Sequence, residues 1–281
     1  TSDLLVSGVH FLPDVNPFTL GHKALAVNLS DLAAMGAEPA WFLLNLTLPK
    51  ADARWLEPFC RGMFQLAKEH NVQLVGGDTS RGPLAIAIEA HGFVPAGKAL
   101  CRLGAKVGDG IYITGTLGDA ALALRSRLGG IRMSEHDLGV VAERLDRPTP
   151  RVREGMALRG IAHCAIDVSD GLLADLGHIL KMSQVGAQIS LDKIPVSPTS
   201  RPHIRETGWD MVLASGDDYE LCFTSPEKNR AALEKLAPAC GFHRIGVIES
   251  EPGLRIVDEA GKPYQPHQSG HDHFAEDEKK S

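Results

Sequence analysis

Five times in this chain an Asp stands at the end of a short apolar run in small, Gly- or Ser-rich company. The segments are Ser2-Asp3, Asn28-Leu29-Ser30-Asp31, Gly76-Gly77-Asp78-Thr79, Asp167-Val168-Ser169-Asp170-Gly171 and Ser215-Gly216-Asp217-Asp218. Short apolar runs closed by turn-forming residues read as buried strands, and between them lie stretches with helical spacing. That alternation restricts the chain to an α/β class. Carboxylates beside tight turns also suit a hard cation such as Mg²⁺, which is held by a few carboxylates together with phosphates and water. One such Asp would carry no weight, whereas five in similar settings point to one shared site.

The elements can be placed in order. Leu4-Leu5-Val6 ends a strand, and Thr19 can cap a helix running to Met35, with Gly36 as its stop. Trp41 to Leu48 reads as a buried strand. Ala51 to His70 reads as a helix, because Trp55, Phe59, Met63, Leu66 and Ala67 fall at helical spacing. Val72 to Val75 is a short strand that meets a Gly76-Gly77-Asp78 turn, and Leu84 to Val94 is another strand. Leu103 to Gly110 is turn-rich, so we expect a domain division there, with one domain over 1–106 and a second over 107–281. In the second, Ile111 to Thr114 and Cys164 to Val168 are strands, Arg151 to Ala162 and Asp170 to Ser183 are helices, and Tyr219 to Phe223 is a strand. A chain of 281 residues fits two domains.

Charge and cysteine content exclude several classes. The net charge is −6 and no basic block exists, which argues against a nucleic-acid surface. Phosphate substrates remain open, because a metal can supply positive charge. The five cysteines are scattered and odd in number, as expected of reduced thiols in a cytoplasmic protein. No apolar run approaches the roughly 20 residues of a membrane span. The chain starts at Thr1 without Met, and we expect it to continue upstream in the natural protein. There is no P-loop, no kinase-type H-R-D or D-F-G set, and no G-x-S-x-G elbow.

Each motif also has an ordinary reading. Asn28 and Asp31 share a helix face, which can be a solvated patch on an amphipathic helix. Gly76-Gly77-Asp78 can be a plain strand-end turn. Ser169 or Asp170 can be an N-cap, but a cap leaves Asp167 on the strand unexplained. Asp217-Asp218 lies between two apolar runs, which places it at a sheet-edge cleft. The terminal His267, His271 and His273 lack Cys or Glu partners at zinc spacing. His10 is a better candidate for contact with a ligand ring.

Taken together the segments resemble the thiamine-monophosphate kinase family, in the superfamily of aminoimidazole-ribonucleotide synthetase and selenophosphate synthetase. The carriers are Ser2 to Phe11, Lys23 to Ala37, Val75 to Gly82, Ile166 to Leu172, Ser215 to Leu221 and Gly270 to Phe274, so the resemblance spans nearly the whole chain. It implies a two-domain aminoimidazole-ribonucleotide synthetase-like fold, with a mixed N-terminal sheet and a C-terminal α/β domain. It implies an enzyme that phosphorylates thiamine monophosphate to thiamine diphosphate with ATP as co-substrate, assisted by several Mg²⁺ ions. By the same resemblance Ser2, Asp3, Asp31, Asp78, Asp167 and Asp170 are metal ligands. Gly77, Asp78, Arg102 and Ser169 bind ATP, while His10, Asp217 and His271 hold thiamine monophosphate. The family commonly has Tyr where this chain has His271, and it carries a further acidic segment upstream of the first strand. It forms homodimers through its N-terminal sheets and has no dedicated catalytic side chain, since transfer is direct. A sister ATP-dependent synthetase and a nucleotide-binding module without turnover are the alternatives.

Overall fold

The computed structural model describes residues 1–268 and Gly270. The first six elements are β1 (Ser2–Val6), α1 (Pro17–Ala34), β2 (Glu38–Leu48), α2 (Ala53–Glu69), β3 (Gln73–Arg81) and β4 (Ala85–Phe93). Their strands form a sheet in the order β1-β4-β2-β3. Pairing is antiparallel except between β2 and β3, which run parallel. Along β1, Leu5 is buried and Asp3 half-buried while Ser2 and Leu4 face outward, so the period-two pleat turns Asp3 inward beside the core.

The second half begins with β5 (Gly110–Thr114), α3 (Asp119–Arg127), α4 (Glu135–Asp146), α5 (Val152–Ala157), β6 (Cys164–Asp167) and α6 (Leu172–Ser183). It continues with β7 (Gly186–Ser190), α7 (Arg201–Thr207), α8 (Asp210–Leu213), β8 (Leu221–Ser225), α9 (Arg230–Cys240), β9 (Phe242–Glu249) and β10 (Gly253–Val257). The sheet order is β10-β7-β9-β5-β8-β6. One face buries Ile111, Ile113, Ile166 and Ile189 under α3, α4 and α6. The other joins Tyr112, Ala165, Leu221 and Phe223 to the core of the N-terminal sheet.

Helix α1 is the element between these layers. It starts one turn earlier than expected, because Asn16 rather than Thr19 is the cap: the Phe18 N–H donates to Asn16 Oδ1 at 2.9 Å, with Pro17 at the first helical position. It is not amphipathic. Residues Leu20 to Ser30 are buried without interruption, so the alternative of a solvated patch at Asn28 does not hold: Asn28 lies inside and donates its amide to the Ala24 carbonyl at 3.1 Å. A helix buried all round, its polar His22, Lys23, Asn28 and Ser30 included, belongs in the middle of a structure, and here α2 and α5 cover it.

That burial depends on glycine. A Cβ at Gly21 would stand 1.9 Å from the Phe59 carbonyl oxygen, and one at Gly62 would stand 1.9 Å from that of Phe18. The two helices therefore meet backbone to backbone. Gly62→Ala must push them apart, at a cost of about 1–3 kcal/mol for overpacking. For a chain of this size each kcal/mol lowers the melting temperature by roughly 2–4 °C. Scanning calorimetry checks this, and an unchanged transition would refute so close a crossing.

Two expected boundaries differ. The segment after Arg151 is helical only over Val152–Ala157, after which turns carry the chain to β6. More important for the site, Gly76-Gly77-Asp78 is no turn. Strand β3 continues through it to Arg81, because β2 runs alongside and pairs Leu44 with Gly77 and Asn45 with Asp78.

Candidate active site

A cavity of about 1000 Å³ opens between the two halves. At one end its wall is made by Asp3 on β1, Asp31 on α1, Asp167 at the end of β6, and Ser169 and Asp170 just after it. His10 and Asp217 also line it, as does Ser2. Eight of the residues expected at a shared site thus meet in one cavity, although they come from segments far apart in the chain.

The loop after β6 is shaped by a residue the motif reading passed over. Asp175, on the first turn of α6, accepts hydrogen bonds at 3.1 Å from the N–H groups of Ser169, Asp170 and Gly171, all on its Oδ2. Neither Ser169 nor Asp170 caps the helix. Gly171 stands at the cap position, and α6 begins only at Leu172. Holding three backbone donors on Asp175 leaves the side chains of Ser169 and Asp170 at the cavity. Burial, and then the charge of Asp170, push the Asp175 carboxyl up to about 7. An acid amid the apolar run Leu172 to Leu176 was the available signal.

The second loop lies directly on the first. Asp217 N–H donates to the Ser169 carbonyl at 2.9 Å, and Tyr219 N–H to that of Val168 at 2.9 Å. Gly216 is required here, since a Cβ would stand 1.8 Å from the Ser169 oxygen. Asp217 and Tyr219 have φ of +68° and +50°, a left-handed backbone that a Tyr seldom adopts. The result splits the expected pair. Asp217 turns to the cavity, whereas Asp218 is buried and accepts from Gly118 N–H at 2.9 Å.

Electrostatics mark the acidic end. Asp167 is 4% exposed and accepts from Ser30 Oγ at 2.7 Å. Burial, followed by the nearby charge of Asp31, pushes its carboxyl up to about 8. Burial and then Asp31 raise Asp3 to about 6. Asp31 in turn accepts a short hydrogen bond from the Thr1 hydroxyl. The charge of Asp31 thus raises both Asp3 and Asp167, and this cluster of hard oxygen donors fits a cation such as Mg²⁺. Among the described residues no three His, Cys, Asp or Glu side chains converge as a preformed cage. A hard cation held by one or two carboxylates plus substrate phosphates needs no such cage.

His10 receives a hydrogen bond from the Val6 N–H on its Nδ1 at 3.0 Å, which leaves Nε2 as the protonated nitrogen of the neutral ring. Gly77, Asp78 and Arg102 are exposed and do not line the cavity. Strand β3 lies three strand spacings from β1, about 14 Å at the usual separation. His271 lies outside the described residues, as does His273; His267 donates its N–H to Asp210, in α8.

Residues 1–94 match the family described as AIR synthase related protein, N-terminal domain, and residues 106–259 match the corresponding C-terminal domain. Thiamine-monophosphate kinase of Salmonella typhimurium is 49% identical over 280 residues, covering 98% of this chain and 86% of that protein. Its Escherichia coli counterpart is 48% identical with the same coverage. The crystal structure of thiamine-monophosphate kinase from Stenotrophomonas maltophilia superposes with a TM-score of 0.88 at 47% identity, over 94% of this chain and 85% of that one. The structure of AaThiL complexed with AMPPCP and TMP gives 0.85 at 31% identity, over 97% and 86%.

Proposed function

The chain belongs to the AIR synthase related family, in its thiamine-monophosphate kinase branch, and on that premise we propose that it transfers the terminal phosphoryl group of ATP directly to thiamine monophosphate. One observation carries the reading beyond family membership. Carboxylates from both halves, Asp3 and Asp31 with Asp167 and Asp170, meet in a cavity that His10 and Asp217 share. AaThiL, of the same fold, has been seen with AMPPCP and TMP together.

In this reading Ser2, Asp3, Asp31, Asp167 and Asp170 would hold Mg²⁺, with Asp78 reaching the metals or nucleotide from β3. Mg²⁺ supplies the positive charge that lets two polyanions approach and aligns in-line transfer. Ser169, presented by the loop that Asp175 ties, contacts ATP together with Gly77 and Arg102. His10 and Asp217 hold the acceptor, joined by His271. The acceptor phosphate has a second pKa of about 6, so near neutral pH its attacking oxygen is already largely ionised. No general base is required, and positioning and electrostatics carry the rate.

We place the domain division at residues 106/107. The outward face of the N-terminal sheet exposes Leu4, and Val75 and Phe93 are exposed on β3 and β4, which favours a homodimer through that sheet. All five cysteines are free thiols, which suits a reducing cytoplasm. Among the described residues no helix is long and apolar enough to cross a membrane.

The test is product formation. The natural full-length chain, incubated with MgATP and thiamine monophosphate, is expected to yield thiamine diphosphate and ADP in equal amounts, read by chromatography. Chelating Mg²⁺ is expected to stop it. Absence of thiamine diphosphate would overturn the assignment, and turnover undiminished by chelation would overturn the metal role.

A further inference from the structure

Lys23 is a charged residue in the middle of the most buried helix. It is 5% exposed, next to Leu20, Ala24 and Val27 of the same face. Lysine is almost never buried to this degree without a partner. Its partner comes from the other half of the molecule: Nζ lies 3.0 Å from Asp217 Oδ2. Tyr219 Oη donates to the other oxygen, Oδ1, at 2.9 Å. Lys23, Asp217 and Tyr219 all line the cavity.

The carboxylate of Asp217 is therefore gripped at both oxygens, by α1 on one side and by its own loop on the other. Its backbone is fixed as well, by the hydrogen bond to Ser169 and the left-handed φ. A carboxylate that only closed a turn would need none of this. The surroundings make Lys23 the natural anchor, since Asp3, Asp31, Asp167 and Asp170 share the cavity and would repel an unpaired Asp217. The ammonium also spans the division between α1 and the 215–219 loop, so it ties the acceptor side of the cavity to the helix that carries Asp31.

We propose that Lys23 is a positioning residue for the acceptor, orienting the Asp217 carboxylate toward thiamine monophosphate. This rests on the kinase reading and on the placement of Asp217 at the acceptor. Lys23→Met keeps length and removes the charge. It is expected to raise KM for thiamine monophosphate about tenfold or more, while KM for ATP stays within twofold and the pH dependence of kcat is unchanged. Asp217→Asn should do the same. Because the two residues act as one unit, Lys23→Met/Asp217→Asn should be no worse than Asp217→Asn alone. The pair removes both charges together, so it reports on the inference even where Lys23→Met by itself fails to fold. A Lys23→Met enzyme with an unmoved acceptor KM would overturn the inference. So would an equal rise in both KM values, or effects that multiply in the double variant. Lack of turnover by the unaltered enzyme would instead remove the kinase reading, and the inference with it.

Discussion

Asp167→Asn is expected to abolish phosphoryl transfer and at the same time to make the metal-free protein more stable at alkaline pH. The activity loss follows from the loss of one oxygen anion at the centre of the acidic end. We expect on the order of a thousandfold or more, which at 1.36 kcal/mol per tenfold is about 4 kcal/mol of transition-state stabilisation. Asn preserves the shape, and its Oδ1 can still accept from Ser30 as Asp167 does. The stability gain follows from linkage. Asp167 titrates near 3.8 in the unfolded chain and at about 8 in the fold, so the folded state binds the proton more tightly. The stability which that proton confers is complete below pH 4 and is lost as pH rises through 8. Denaturant midpoints at pH 5 and pH 8 without Mg²⁺ should therefore fall more for the unaltered chain than for Asp167→Asn. Adding Mg²⁺ at pH 8 should restore the former and not the latter. Identical pH profiles, or product at the unaltered rate, would refute the place given to Asp167.

This case also shows what the residue pattern could convey. Asp3 and Asp167 were legible because each borders an apolar run too short for anything but a strand: Asp3 opens β1 ahead of Leu4 to Val6, and Asp167 closes β6 after Cys164 to Ile166. The burial of α1 was not legible. Lys23, Asn28 and Ser30 look like solvent positions, and it is the close approach of neighbouring elements, α2 at Gly21 and Gly62 and α5 at Gly155, that closes water out. Gly76-Gly77-Asp78 carries every mark of a turn, and parallel pairing with β2 overrides the local preference. For Asp217-Asp218 the neighbours are identical in type, so nothing local says which turns to the cavity. The left-handed backbone at Asp217 decides it, and the contact with Ser169, 48 positions earlier, holds that backbone.

The least legible device is the one that supports this loop from behind, and breaking it should have the largest effect on folding. Glu220 is fully buried. It accepts from Arg151 Nε at 2.6 Å and Nη2 at 2.5 Å, from Thr114 Oγ1 at 2.5 Å, and from Arg144 through a further short contact. The partners lie on the end of β5, on α4 and just before α5, 69 to 106 positions away. Glu220→Ala leaves two guanidinium groups without their anion. Removing one member of a buried pair costs about 3–5 kcal/mol, and the lower figure applies here because both arginines keep about a fifth of their side chains in water. Denaturant unfolding should show it, and Glu220→Leu with Arg144→Met and Arg151→Met should recover much of the loss, since an apolar replacement of the whole set removes every orphaned charge. The effect should also reach the site without selectivity. Val168 N–H donates to the Glu220 carbonyl at 2.7 Å, and Tyr219 N–H to that of Val168, so Glu220 anchors the Asp167–Gly171 loop and the Ser215–Tyr219 loop together. A milder Glu220→Gln is therefore expected to raise the KM values of ATP and thiamine monophosphate in parallel, whereas Lys23→Met moves only the second. If Glu220→Gln left both constants and the unfolding midpoint unchanged, the loops would have to be held by their mutual backbone bonds alone.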